Sequence, residues 1–201
     1  MTNSFYPYMV TFCLLGACSS SAQPQQAQAQ QMPKGNNTNP DAGLSADFRK
    51  RVDDYVKLRD KAENASPELK EKSQPAEITN AEKSIALHVR TARATAKRGD
   101  LFTPATQAMF RRMLRPALAK GSDAADNKAI IKDDAPEPKD VPFKVNAEYP
   151  KEVALSTVPP DVLAALPQLP EDVQYRFAGQ HLILFDAKAN LIIDFMSNAM
   201  P

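Results

Sequence analysis

Val173-Gln174-Tyr175-Arg176-Phe177, His181-Leu182-Ile183-Leu184-Phe185 and Leu191-Ile192-Ile193-Asp194-Phe195 are three short apolar runs near the C-terminus, and they decide the fold class. In the first run, Val173, Tyr175 and Phe177 alternate with Gln174 and Arg176, the period of a strand buried on one face. The second and third runs are joined by Asp186-Ala187-Lys188-Ala189-Asn190, a polar connection of hairpin length. These features predict a small antiparallel sheet ending in a C-terminal hairpin. Upstream, Phe143, Val145 and Ala147 alternate in the same way, and a short helix is expected from Pro160 to Leu166.

Further upstream the period becomes helical. A first helix is expected from about Ser45, as its N-cap, to Asn64, with Phe48, Val52, Tyr55, Val56, Arg59 and Ala62 on one stripe. A second is expected to begin at the capping-box spacing Thr79 to Glu82 and to end near Gly99, with Ile78, Ala81, Ile85, Val89, Ala92 and Ala96 inward. Thr103-Pro104 opens a third, with Phe110, Met113, Leu114, Ala117 and Leu118 inward and a bend expected at Pro116. The sum is an α+β fold: about three amphipathic helices packed on a small antiparallel sheet.

The chain divides by composition. Residues 1–17 read as a signal peptide, 18–43 as a disordered tether, 44–120 as the helical part, 121–142 as an acidic, proline-interrupted linker, and 143–201 as a small α+β part. The leader has an apolar core from Tyr8 to Ala17, too short for the roughly 20 residues that span a bilayer. A buried N-terminal helix is the alternative, opposed by Pro7 and by the polar tract that follows.

Leu15-Gly16-Ala17-Cys18 resembles the lipobox of bacterial lipoproteins, a branched apolar residue and two small ones before a cysteine. The resemblance implies cleavage before Cys18, a diacylglyceryl thioether on its sulfur and an acylated new N-terminus. Several acyl chains hold a protein firmly where one does not. The expected address is therefore the cell membrane or outer membrane, lipid-anchored and facing the periplasm. Cys13 would leave with the leader, so no free thiol would remain for a disulfide, a redox pair or a thiolate metal site.

Leu169 to Phe195, with Pro170, Tyr175, Leu182, Leu184, Asp186 and Leu191-Ile192-Ile193, is similar to the C-terminal hairpin of the RcnB family of small periplasmic proteins. That resemblance implies a proline-led strand, a second strand, a turn beginning at an aspartate and an isoleucine-rich return. It also implies a role as a metal-homeostasis or stress accessory, without assigning any metal ligand here.

Local signatures of catalysis are absent from the sequence: it contains no HExxH, Walker A loop, GxGxxG or GxSxG. His88 and His181 are its two histidines. The first is read as a packing residue on the edge of the second helix, the second as a turn histidine satisfied by backbone. A carboxylate-dependent cell-wall enzyme would draw on Asp161, Glu171, Asp172 and Asp194. No catalytic residue, metal site or cofactor is expected, and the Asp186–Asn190 turn has too few carboxylates for calcium.

The feature that stands out is charge. Lys83, Arg90, Arg93, Lys97, Arg98, Arg111, Arg112, Arg115 and Lys120 face only Asp100 over the same stretch. At about 100° per residue, Arg90, Arg93 and Lys97 share one flank of the second helix, and Arg111 and Arg115 one flank of the third. These five form a candidate anion site for lipid headgroups or anionic envelope polymer, because arginine forks grip oxyanions. The competing expectation is internal neutralisation by the acidic segment Asp123 to Asp140. An exported address and a net charge of +1 disfavour nucleic acid. The expected function is a cell-envelope lipoprotein acting as a non-enzymatic interaction or binding module, its partners the membrane and an anionic polymer or envelope protein.

Overall fold

Four helices of the computed structural model open on a proline, which explains where many of the chain's prolines go. The residues described are 40–119 and 122–200. They form α1 (Pro40–Asn64), α2 (Pro75–Ala92), α3 (Pro104–Ala119), α4 (Ala124–Asp134) and α5 (Pro160–Ala165), then β1 (Val173–Ala178), β2 (His181–Asp186) and β3 (Leu191–Met196). Proline suits the first helical position because its fixed φ is already helical and its missing N–H would have had no partner there. Cys18, the leader and residues 18–39 of the tether lie outside the described residues.

The α+β architecture matches the expectation, and several boundaries differ. α1 starts at Pro40, so Ser45 lies inside the helix and not at its cap, and residues 40–43 of the expected tether are helical. Asp41 in the first turn favours this longer start by complementing the helix dipole. α2 starts at Pro75, where the Gln74 backbone N–H donates to the Glu77 carboxylate at 2.7 Å, and not at Thr79. It ends at Ala92, before Gly99, which lies in the following loop at φ 90°. α3 begins as expected, with the Thr106 N–H donating to Thr103 Oγ1 at 3.2 Å, and it runs on past Pro116 to Ala119.

The stretch expected to be a linker, 121–142, contains α4. Ile131 is fully buried, and the Asn127 side chain donates to the Ala117 carbonyl at 3.0 Å. That carbonyl sits in the last turn of α3, among those that helix geometry leaves without an intrahelical partner. Phe143 to Ala147 likewise forms no strand. Asn146, at φ 63°, breaks the extended run, and the segment instead lies along β3 through Asn146 N–H to the Ile192 carbonyl and Ile192 N–H to the Ala147 carbonyl.

The sheet is antiparallel in the order β1-β2-β3. One face carries Tyr175, Phe177, Leu182, Leu184, Leu191 and Ile193 into a core shared with α1, α2 and α3. Phe48, Phe102 and Phe110 meet there with ring centroids 4.9 to 5.5 Å apart, and Phe110 reaches Tyr175. The second face is covered as well: Ala178, Ile183, Phe185, Ile192 and Phe195 pack against Val141, Phe143, Val145, Tyr149 and Val153. This explains why β2 and β3 read as continuous apolar runs, whereas β1 alternates.

A bulge sets the register of β3. Leu184 pairs with Asp194 while Phe185 pairs with Ile192, leaving Ile193 as the extra residue. Ile193 and Asp194 consequently both face the helices. The turn between β1 and β2 needs Gly179 at φ 52°, where a Cβ would lie 2.8 Å from the Pro138 ring.

Candidate functional site

The five cations of the candidate anion site separate into two groups with different work. Arg90 and Arg93, on the last turn of α2 and just beyond it, hold the 146–148 segment against the sheet. Arg93 donates to Asn146 Oδ1 at 2.9 Å and to the Ile193 carbonyl at 3.3 Å, and Asn146 Nδ2 donates back to the Arg93 carbonyl. Its guanidinium lies over the Tyr55 ring, 5.0 Å from the centroid, and burial pulls its pKa below the usual arginine value. Arg90 donates to the Asn146 carbonyl at 3.0 Å and pairs with Glu148 at 2.9 Å. Both residues thus act as a clasp inside the fold.

The acids considered for carboxylate catalysis also have structural partners. Asp194 is completely buried, and its carboxylate accepts the backbone N–H groups of Gly99, Leu101, Phe102 and Phe195. Asp172 pairs with Arg59 at 3.3 Å and with Lys188 at 3.8 Å. Asp161 and Glu171 are exposed, Asp161 beside Asn127 in a shallow cleft. The second fully buried acid is Asp186, which the sequence marked only as the start of a turn. It accepts the Tyr55 hydroxyl at 2.5 Å and the backbone N–H groups of Lys188 and Ala189, with Arg59 at 3.8 Å. Arg59 is itself only 4 % exposed, as its place on the apolar stripe of α1 implied.

The other cations meet at one end of the domain. The loop after α2, the middle of α3 and the segment Ser197 to Met200 converge there. Arg98 donates to the Ser197 hydroxyl at 2.9 Å and lies over the Phe195 ring. Arg111 donates to the carbonyls of Ser197 and Asn198 at 3.0 and 3.3 Å. Arg112 pairs with Asp41 at the start of α1. Arg115 is exposed, and it joins Arg111, Arg112, Asn198, Ala199 and Met200 around a shallow groove of about 280 Å³. Lys97 is exposed in the loop beside Arg98, its backbone N–H donating to the Asp100 carboxylate.

Backbone and hydroxyl oxygens hold a guanidinium in place without cancelling its charge. Among the described residues, Asp41 is the one carboxylate in an ion pair with these arginines, and Asp123 to Asp140 makes no ion pair with them. The expected internal neutralisation by that acidic segment therefore does not occur among the described residues; its chain is committed to α4. Arg98 and Arg112 belong to this surface although they stood outside the five-residue set. Helical projection could not place Arg98, which lies in a loop, or show that Asp41 draws Arg112 to the same end.

The histidines take supporting positions. His88 Nδ1 lies 3.3 Å from Ser66 Oγ, whose hydroxyl is 2.8 Å from the Ala62 carbonyl. His181 Nδ1 accepts the Asn198 N–H at 3.3 Å, and its ring meets the edge of Phe143. Burial, with the nearby Arg98 charge, lowers the His181 pKa. Among the described residues, no group of three or more His, Cys, Asp or Glu side chains could hold a metal ion, and no helix is long and apolar enough to cross a membrane. Comparison with protein-family models, curated proteins and solved structures found no match.

Proposed function

We propose that the chain is a lipid-anchored protein of the bacterial cell envelope whose α+β domain is a non-enzymatic interaction module, held by Cys18 and offering its cationic end to an anionic partner. The observation that carries this reading is Leu15-Gly16-Ala17-Cys18 at the end of a short apolar core, followed by the uncharged polar tract Ser19 to Gln31. Cleavage at that point would remove Cys13 and leave Cys18 for acylation. The tract would then separate the domain from the bilayer.

Two features of the domain support the interaction half. Its buried acids are each occupied by several donors, an arrangement suited to holding a fold together. Arg98, Arg111 and Arg115, by contrast, stand at the surface without carboxylate partners among the described residues. Metabolic labelling with palmitate tests the anchor. Label is expected in the wild-type chain and not in Cys18→Ala, which should also leave the membrane fraction. An unlabelled wild-type chain, with fractionation unchanged in Cys18→Ala, would overturn the reading.

A further inference from the structure

We infer that the cationic end formed by Arg98, Arg111, Arg112 and Arg115 is a membrane-facing surface that docks on the phosphate headgroups of anionic phospholipids. The inference rests on the anchored reading above and adds to it where the domain touches the bilayer and with which chemistry. Two independent observations place the surface. The first is charge: Arg111, held by backbone carbonyls, and Arg115, without a carboxylate partner among the described residues, share a groove rim with the acid-paired Arg112, and Arg98 reaches the adjoining Ser197 hydroxyl. The second is chain direction. The ion pair between Arg112 and Asp41 fixes the start of α1 at this same end.

The segment leading back to Cys18 therefore joins the domain beside the arginines. An anchor at residue 18 delivers the domain to the membrane with this end nearest its attachment point. The tether expected between Cys18 and Pro40, at about 5–6 Å times the square root of its residue count, would keep the domain within a few nanometres of the headgroups. Each headgroup phosphodiester presents two non-bridging oxygens, which a planar arginine fork grips as a pair. Arg111 is aimed by the Ser197 and Asn198 carbonyls and Arg98 by the Ser197 hydroxyl, so little side-chain freedom is lost on contact. The acyl chains on Cys18 hold the protein at the bilayer, and the basic surface adds a charge-dependent contact that orients the domain on it.

Vesicle co-sedimentation of the full-length chain carrying Cys18→Ser, which cannot be acylated at that position, tests the surface apart from the anchor. Binding is expected to vesicles of phosphatidylcholine mixed with phosphatidylglycerol, to be weaker on pure phosphatidylcholine, and to fall as salt is raised. In the same background, Arg115→Gln removes a charge that makes no hydrogen bond or ion pair among the described residues and is expected to weaken binding about fivefold. Arg111→Gln/Arg115→Gln is expected to weaken it by more than tenfold, and Arg111→Lys/Arg115→Lys to retain most of it.

Equal binding by Arg115→Gln and the parent chain, or equal binding to neutral and anionic vesicles, would overturn the inference. So would displacement by inorganic phosphate at the concentration of the lipid phosphate, which would make the groove a free-oxyanion site. Charge-dependent vesicle binding by a chain that takes no palmitate label in cells would uphold this surface while removing the anchored reading.

Discussion

Asp194 accepts the backbone N–H of Phe102 at 2.9 Å, joining the last strand to the entrance of α3 at a point where neither residue is exposed. The same carboxylate takes the N–H groups of Gly99 and Leu101, so one buried charge satisfies the turn between α2 and α3. Hydrogen bonds to a charged acceptor contribute more than neutral ones, and a buried donor left without a partner carries a full desolvation cost.

Asp194→Asn keeps the shape but sets an amide N–H₂ among donors. The expected loss is about 2–4 kcal/mol of unfolding free energy, measured by urea denaturation. A loss within experimental error would show that the loop holds without the carboxylate.

Tyr55 and Asp186 join α1 to the turn before β3 through a buried 2.5 Å bond. Removing the hydroxyl in Tyr55→Phe takes one donor from a carboxylate that keeps two backbone donors, so about 1–2 kcal/mol is expected. Thermal unfolding of the variant beside the wild type reads this directly.

Burial raises the pKa of Tyr55, with Asp186 adding to the shift, and burial alone raises that of Tyr175. Both phenols are thus protonated in the fold at pH values where the unfolded chain ionises, near the ordinary 10.0. Their contribution to stability is complete below that value and declines as pH rises above it. Stability measured from neutral to alkaline pH should fall beyond about pH 10, and Tyr55→Phe should shallow the fall.

His181 works in the opposite direction. Its pKa is lowered by burial and by Arg98, so above the ordinary 6.5 the neutral ring favours the fold, and this contribution is lost as pH falls below that value. Protonation would also put a donor against the Asn198 N–H. His181→Gln, which retains an acceptor, should flatten the acid side of the stability profile; an unchanged slope would assign that slope to other groups.

Gly179 turns β1 into β2 at φ 52° with the Pro138 ring against its Cα. Gly179→Ala combines an unfavourable backbone conformation with a 2.8 Å contact, and a loss of about 1–3 kcal/mol is expected. Gln180→Ala, one residue along and exposed, is the control that should leave unfolding nearly unchanged.

The helical stripes and the strands were legible because their signals are local. Phe48, Val52, Tyr55, Arg59 and Ala62 repeat with the helical period and are buried together on α1. β1 alternates, and the Pro160 helix and the C-terminal hairpin fall where their patterns put them. α4 was hidden because a short helix among Asp and Pro residues has little apolar periodicity; one fully buried Ile131 and one Asn127 contact hold it against α3. The alternation from Phe143 to Ala147 suggested a strand, but Asn146 takes a left-handed conformation there, clasped by Arg90 and Arg93.

The amino-acid sequence by itself determined the class of the domain, most of its core residues and the abundance of basic side chains from Lys83 to Arg115, since periodicity and composition are properties of neighbouring residues. Tertiary structure decided which of those charges face outward. Arg90 and Arg93 turn in to hold a loop, while Arg98, Arg111, Arg112 and Arg115 gather around Ser197 to Met200 beside the start of α1. It also decided that Asp194 points to the helices, because a single bulged residue reverses the facing that strict alternation along β3 would give. Both outcomes depend on partners about 50 to 100 residues away in the chain, as in Arg90 with Glu148 and Asp194 with Phe102, which no local pattern specifies.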